Sequence, residues 1–218
     1  GRGPFEAATV RVGPSGKVSV ISGVSAIGQG TRTMLAQIVA QSLGVEVTDI
    51  DVVIGDTSTI PYGMGAASSR QTVTAGSSAQ AAAVEVKEKA LRVAAHILEA
   101  SEEDLEISGG RVQVKGVADL SVGLGEIATQ LAGAATGFAL PAGETPGLEA
   151  NMAVQIDGLA FSNGAHVAEI EIDIGTGEIK VLNYVIAHDC GVMVNPMVID
   201  GQVTGGAAHG IGFAMFER

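Results

Sequence analysis

Side chains that could bind an anion stand beside glycines at several places in this sequence. Gln29 lies between Gly28 and Gly30, directly before a segment with helical periodicity. The first amides of a helix have no intrahelical acceptor and attract phosphate, and glycine lets such a group approach the backbone. The pattern indicates an anion-binding loop, although a simple connecting loop has the same composition.

A second loop of suitable chemistry covers residues 55–69, with the sequence GDTSTIPYGMGAASS. It follows a predicted strand over residues 50–54 and leads into the longest predicted helix. Loops rich in Gly, Ser and Ala can surround a ligand with backbone donors when they lie beside the start of a helix. We therefore expect this loop to contribute hydrogen-bond donors to a ligand site.

A third candidate lies on the helix predicted from Asn195 and Pro196 to about Phe216. Asn195 is a natural N-cap, and proline is well tolerated in the first turn, where no N–H is needed. The glycines inside this helix each cost about 0.5–1 kcal/mol relative to alanine. The seven-residue spacing of Gln202 and His209 places both on one face. The glycines therefore serve either close packing or the approach of a ligand to this face.

The other histidines and the single cysteine favour structural roles. His188 and Cys190 could both bind a metal, but a third and a fourth ligand are not evident in the sequence. We expect Cys190 to be a small buried residue and His96 to be a structural histidine of the long helix. One cysteine excludes an internal disulfide framework and a cysteine-rich metal cluster within this chain. No hydrolase triad or acid–base pair of carboxylates stands out.

Composition excludes several classes of partner. The net charge of −12 argues against nucleic acid and anionic membranes, which require a basic surface. No apolar run is long enough to span a bilayer, and no signal segment opens the chain, so the cytoplasm is the expected compartment. Hydrophobic residues make up 46% of the 218 residues and aromatic residues 3%. These values predict an aliphatic, closely packed core.

Hydrophobic periodicity predicts an α+β fold of two lobes, each with mixed β-sheet and packed helices. A hairpin, a glycine loop and a helix occur in this order over residues 9–42 and again from residue 166, which indicates a weak internal repeat. We expect a first lobe over residues 1–135, an irregular lobe-joining segment over 136–163 and a second lobe over 164–218. The charged residues of the long helix, Glu85, Lys89 and Arg92, are expected on its solvent face, with Glu85 and Lys89 as an i,i+4 pair.

Several motifs occur in a characteristic order: GQGTRT, GAASSRQTVTAG, DCGVMVNP and GQVTGGAAHGIGFAMFE. Together they resemble the large subunit of the molybdenum hydroxylases, the family of xanthine dehydrogenase, aldehyde oxidase and carbon monoxide dehydrogenase. The resemblance extends from GPFEAATVRV to the end of the chain. It implies the C-terminal region of that subunit, which binds the molybdenum–pterin cofactor in a mononucleotide or dinucleotide form.

The resemblance also assigns residues to the cofactor. The GQG loop is implied to contact the pterin or its phosphate, the SSRQ segment to donate to the pyrophosphate and dithiolene side, and the last helix to complete the site. His209 stands where relatives often have glutamine, and it adds a titration that glutamine lacks. No catalytic residue or direct metal ligand is implied within this chain. The implied cofactor-binding residues are Gly28, Gln29, Gly30, Ser68, Ser69, Arg70, Gln71, Gln202 and His209.

The resemblance implies further parts outside the sequence. The family's glycine-rich loop near the metal would precede Gly1, and its catalytic glutamate would follow Arg218, so we expect a piece of a longer polypeptide that is inactive alone. The complete enzyme would oxidise an aldehyde, an N-heterocycle or carbon monoxide with water as the oxygen source. FAD and [2Fe-2S] centres would lie on partner segments or subunits, and the complete assembly would be a homodimer. The alternative is a non-catalytic assembly module in which glycine-rich helices serve packing.

Overall fold

The chain divides into two compact units, Gly1–Gly158 and Leu159–Arg218. The predicted boundary between residues 135 and 136 lies outside the described residues. The expected α+β class is confirmed, because small sheets and α-helices occur together. A computed structural model describes residues 5–60, 62–133, 137–158 and 161–217.

The first unit contains seven strands and three α-helices among its described residues. A π-helical segment, Thr72–Gly76, runs directly into the second α-helix. Short 3-10 turns, Val47–Asp49 and Glu102–Asp104, each precede a strand. The elements of this unit are β1 Ala7–Val12, β2 Val18–Ser22, α1 Thr31–Leu43, β3 Ile50–Ile54, α2 Ser77–Leu98, β4 Leu105–Ser108, β5 Arg111–Val114, β6 Val117–Gly123, α3 Leu124–Leu131 and β7 Leu148–Ala153.

A four-stranded sheet in the order β3-β2-β1-β7 forms the centre of the first unit. Strand β1 pairs antiparallel with β2 and β7, whereas β2 and β3 are parallel and are connected through α1. Alternate residues of β1 and β2, such as Val10 and Val20, are fully buried, and α2 packs against β1, β7 and α1. The core is aliphatic, as the composition predicts. A second sheet, in the order β4-β5-β6, is antiparallel throughout.

Strand β7 lies inside the segment that the sequence indicated as irregular. It pairs with β1 from Leu148 opposite Val12 to Ala153 opposite Ala7. Its burial alternates with period two, because Leu148 is buried, Ala150 and Met152 are half-buried, and the residues between them are exposed. The sequence has the same short apolar alternation, but the glycines and prolines around it favoured an irregular segment. The lobe-joining role of residues 136–163 stays a prediction.

Lys89 of α2 is buried, and its predicted place on the solvent face is wrong. Its ammonium donates to the carbonyl oxygen of Thr145 at 2.9 Å and to the Thr145 hydroxyl at 3.0 Å. The predicted pair of Glu85 and Lys89 is replaced by an ion pair of Glu85 with Arg92, at 3.7 Å, and Arg92 also binds Glu144. The segment around Glu144 and Thr145 covers this part of α2. Hydrophobic periodicity within the helix does not predict a contact with a segment so distant in sequence.

The second unit consists of a hairpin and a helix. Strands β8, Asn163–Ile172, and β9, Ile179–Asp189, pair antiparallel, and α4 covers Pro196–Phe216. The predicted N-cap is confirmed, because the Asn195 side chain accepts a hydrogen bond from the Val198 amide at 3.1 Å. No residue of α4 is buried. Within the described ranges, none of the helices has both the length and the apolarity that a membrane span requires.

Candidate functional site

The parallel pairing of β2 and β3 places two loops at one edge of the sheet. The loop after β2 covers residues 23–30 and contains the GQG motif, and the loop after β3 covers residues 55–71 and contains the SSRQ motif. Because both strands run in the same direction, both loops leave from the same edge. Ligands of open α/β sheets commonly bind outside the carboxyl ends of the strands.

Gln71 joins these two loops through its side chain. Its Oε1 accepts from Nε2 of Gln29 at 2.9 Å and from the hydroxyl of Thr31 at 2.7 Å. Its Nε2 donates to the carbonyl oxygen of Ser25 at 2.7 Å. Gln71 and Thr31 are both buried. The Gln71 side chain therefore fixes the start of α1 against the π-helical segment that begins α2.

The GQG loop turns through left-handed backbone on both sides of Gln29. Gly28 has φ +104° and Gly30, the residue before α1, has φ +78°. Glycine adopts this region without the steric cost of a side chain. Oε1 of Gln29 accepts from the Ile27 amide at 2.7 Å, so the side chain folds back onto its own loop. The exposed Gly28 has open space around the position of a Cβ atom.

Ser68 and Ser69 both have left-handed backbone, with φ of 53° and 51°. For residues with a side chain, this conformation costs about 1–2 kcal/mol each. Both serines are exposed, and they directly precede the buried Arg70. Two consecutive strained residues indicate that the surrounding contacts fix this turn.

Arg70 and Gln71, which the sequence presented as donors to a ligand, make contacts inside the protein. Nη1 of Arg70 lies 3.1 Å from Oε1 of Glu6, and Nη2 donates to the carbonyl oxygen of Phe5 at 2.8 Å. The Phe5 ring in turn contacts Tyr62 edge-on, with centroids 5.7 Å apart. Partial burial, and next the Glu6 carboxylate, raise the pKa of Tyr62. These side chains thus shape the loop from within.

Gln202 and His209 lie on α4 in the second unit, and both are exposed. A methyl group at Gly205, between them on the helix, would have open space within this unit. The convergence of Gln29, Ser69 and His209 on one ligand stays a prediction. Cys190 is exposed, which contradicts its expected burial, because it lies in the surface loop between β9 and α4.

Local sequence gave no signal for two residues of this region. Glu6 precedes β1 within GPFEAATVRV and Thr31 opens α1 within GQGTRT, but neither stretch assigned a role to these two side chains. Their roles depend on partners that are 64 and 40 residues away, respectively. In the part of the chain that the structure describes, no cluster of three or more His, Cys, Asp or Glu side chains is arranged to hold a metal ion.

Comparison with known proteins defines the class. The family model described as the molybdopterin cofactor-binding domain matches residues 1–218, so the chain belongs to this family. The nicotine 6-hydroxylase large subunit of Paenarthrobacter nicotinovorans is 38% identical over 213 residues, which are 98% of this chain and 26% of that protein. The carbon monoxide dehydrogenase large chain of Hydrogenophaga pseudoflava is 38% identical over 218 residues, which are 100% of this chain and 26% of that protein.

A solved structure has the same fold. Quinoline 2-oxidoreductase from Pseudomonas putida 86 superposes with a TM-score of 0.84 and 39% identity, over 95% of this chain and 26% of that one. The resemblance to molybdenum hydroxylases that the motifs indicated is confirmed. The chain spans about a quarter of the length of these relatives.

Proposed function

We propose that this chain holds and orients the molybdenum–pterin cofactor in the catalytic large subunit of a molybdenum hydroxylase. The observation that carries the proposal is the hydrogen bond between Gln29 and Gln71, at 2.9 Å, which joins the two glycine- and serine-rich loops. Membership of the molybdopterin cofactor-binding family supports the same role. The complete enzyme oxidises an aldehyde, an N-heterocycle or carbon monoxide with oxygen from water.

The donors at this sheet edge fit an anionic cofactor. Ser68 and Ser69 expose their hydroxyl groups, and α1 begins at Thr31 beside the exposed Gly28. The start of a helix favours negative charge, because its first amides lack intrahelical acceptors and the helix dipole is positive there. A phosphate can thus be bound locally by a chain of net charge −12.

The residues of the first unit divide into two roles in this proposal. Ser68, Ser69 and the backbone of Gly28 and Gly30 face the cofactor and hydrogen-bond its phosphate groups. The side chains of Gln29, Arg70 and Gln71 hold the two loops in shape, as their internal hydrogen bonds support. When bound, the cofactor supplies the redox chemistry.

The second unit adds hydrogen bonds from α4 in the same proposal. Gln202 and His209 lie on one exposed face of this helix, and Gly205 between them leaves the backbone accessible. The first lobe then covers residues 1–135 and the second residues 164–218.

The partners of the complete enzyme follow from the proposed class. The remaining part of the large subunit provides the catalytic glutamate, and FAD and [2Fe-2S] centres lie on other segments or subunits. The assembly is a cytoplasmic homodimer. Because the chain corresponds to about a quarter of its relatives, we expect the 218-residue chain alone to show no turnover.

Ser69→Asp in the complete large subunit tests the proposal. Ser69 is exposed, and aspartate tolerates left-handed backbone, so the fold is retained. A carboxylate facing a phosphate costs several kcal/mol of binding, and we expect molybdenum and pterin content to fall about tenfold or more. The measurement is metal analysis and pterin fluorescence per purified subunit, with assembly followed by size-exclusion chromatography.

Ser108→Asp is the matched control, because it makes the same change at an exposed residue of β4 in the other sheet. It is expected to keep both cofactor and assembly. Loss of assembly with full molybdenum content in Ser69→Asp would contradict the cofactor role and favour the assembly module.

A further inference from the structure

Glu6 is a buried carboxylate that belongs to none of the proposed ligand contacts. It directly precedes β1, and its relative exposure is 0%. Its Oε1 accepts from the Met64 amide at 2.6 Å and from Nη1 of Arg70 at 3.1 Å. These two donors are the ends of segment 64–70, which contains the two left-handed serines. One carboxylate therefore holds both ends of the serine turn.

The backbone around Glu6 is itself tied to the core. Its carbonyl oxygen accepts from the Ser78 hydroxyl at 2.7 Å, in the first turn of α2. The Ser78 oxygen accepts from the Val154 amide at 2.9 Å, just after β7. Ser22 donates to the carbonyl of Ala7, the next residue along. Glu6 thus connects an exposed loop to β1, an interior strand of the four-stranded sheet.

We propose that Glu6 is a positioning residue for the cofactor, acting through Arg70 and the Met64 amide on the turn formed by Ser68 and Ser69. This inference rests on the proposed function. Strained backbone persists only where surrounding contacts fix it, and a buried ion pair provides a fixed geometry. Glu6 is shielded from solvent, so it acts on the cofactor only through the loop.

Glu6→Gln in the complete, assembled enzyme tests the role. Glutamine keeps the size of the side chain and an acceptor for the Met64 amide, but it removes the charge opposite Arg70. We expect amide hydrogen exchange over residues 63–71 to accelerate at least about tenfold. Affinity for the cofactor should fall on the order of 10–100-fold, as it does when a supporting contact of a bound group is removed. Glu6→Asp keeps the charge, and it should lie between wild type and Glu6→Gln in both measurements.

Lys89→Met is the matched control for a general loss of stability. Lys89 is also a buried charged residue of the first unit, but it binds Thr145 and lies outside the serine turn. The melting temperature is measured for every variant. Lys89→Met should increase exchange near Thr145 and keep wild-type exchange over residues 63–71 together with full cofactor content.

The outcomes separate the inference from the proposal on which it rests. Unchanged exchange over residues 63–71 in Glu6→Gln overturns the inference, and so does an equal cofactor loss in Lys89→Met. If Glu6→Gln fails to fold, the two other variants decide. The inference is then overturned when both Glu6→Asp and Lys89→Met keep wild-type exchange over residues 63–71 and wild-type cofactor content. Failure of the proposed function looks different, because Ser69→Asp then keeps its molybdenum.

Discussion

Helices α1 and α4 each follow a β-hairpin and a glycine-containing loop, but they differ in what surrounds them. Seven residues of α1 are buried, whereas no residue of α4 is. Strand β2, before α1, also has the parallel neighbour β3, whereas β9 pairs with β8 alone in the part of the chain that the structure describes. The same local order of elements is therefore compatible with very different degrees of burial.

Glycines of the two units also differ in how closely other atoms approach them. A methyl group at Gly23 would lie 2.6 Å from the Cα atom of Gly63 and still closer to the Tyr62 carbonyl oxygen, so the two loops meet backbone against backbone. Methyl groups at Gly205 or Gly206 of α4 would have open space. Close packing explains Gly23 and Gly63 in the first unit, whereas the second unit contains no packing reason of its own for Gly205 and Gly206 of α4.

Leu35→Ala should have the largest effect in a comparison of the two helices. Leu35 of α1 is fully buried, so the substitution removes buried apolar surface and leaves a cavity, at a cost of about 2–5 kcal/mol in the free energy of unfolding. Ile211→Ala in α4 acts on a partly exposed side chain and should cost about 1 kcal/mol or less. Urea unfolding of both variants measures the difference. Equal losses would show that α4 is packed as tightly as α1.

Gly23→Ala should have a smaller but still clear effect. Its methyl group would displace the loop around Gly63, and overpacking of this kind costs about 1–3 kcal/mol. Gly205→Ala should instead stabilise α4 by up to about 1 kcal/mol, because it removes glycine's backbone entropy where space is open. The control is Gly13→Ala, where the nearest atom, the Lys17 carbonyl oxygen, is at an ordinary 3.7 Å. A neutral Gly23→Ala would mean that the two loops separate easily.

The smallest expected effect is a pH dependence of the β8–β9 turn. Hydrogen bonds from the backbone amides of Thr176 and Gly175 lower the pKa of Asp173. The stabilisation is therefore present above the ordinary carboxyl pKa of about 4 and is lost as the pH falls through the lowered value. NMR titration of the Gly175 and Thr176 amides measures the midpoint, and Asp173→Asn should abolish the transition.

Asp56 provides the matching titration in the first unit. Hydrogen bonds from the hydroxyl and then the amide of Ser58 lower its pKa. We expect both aspartates to titrate below the ordinary value, since both are exposed and both shifts have local causes. A midpoint of Asp173 at the ordinary value would show that the turn is not formed in solution.

Local signals were sufficient for much of the secondary structure. Gly44 ends α1 with φ +79°, and Asn195 caps α4, both as their types predict. The strand over residues 50–54 also lies where the sequence indicated it. The motifs identified the family because their order is specific even where each motif alone is not.

The sequence by itself determined the family, through the order of its motifs along the chain. It also determined the ends of α4 and the positions of the glycine- and serine-rich loops, since these depend on neighbours within a few residues. Only the tertiary structure decided that Gln29 meets Gln71 across 42 residues, through the parallel pairing of β2 and β3. It also decided that Glu6 binds Arg70 across 64 residues inside the core. Burying a charged side chain is costly unless a partner of opposite charge or a hydrogen-bond donor or acceptor lies beside it. Hydrophobic periodicity reflects only residues that are near in sequence, so it does not reveal a partner 64 residues away.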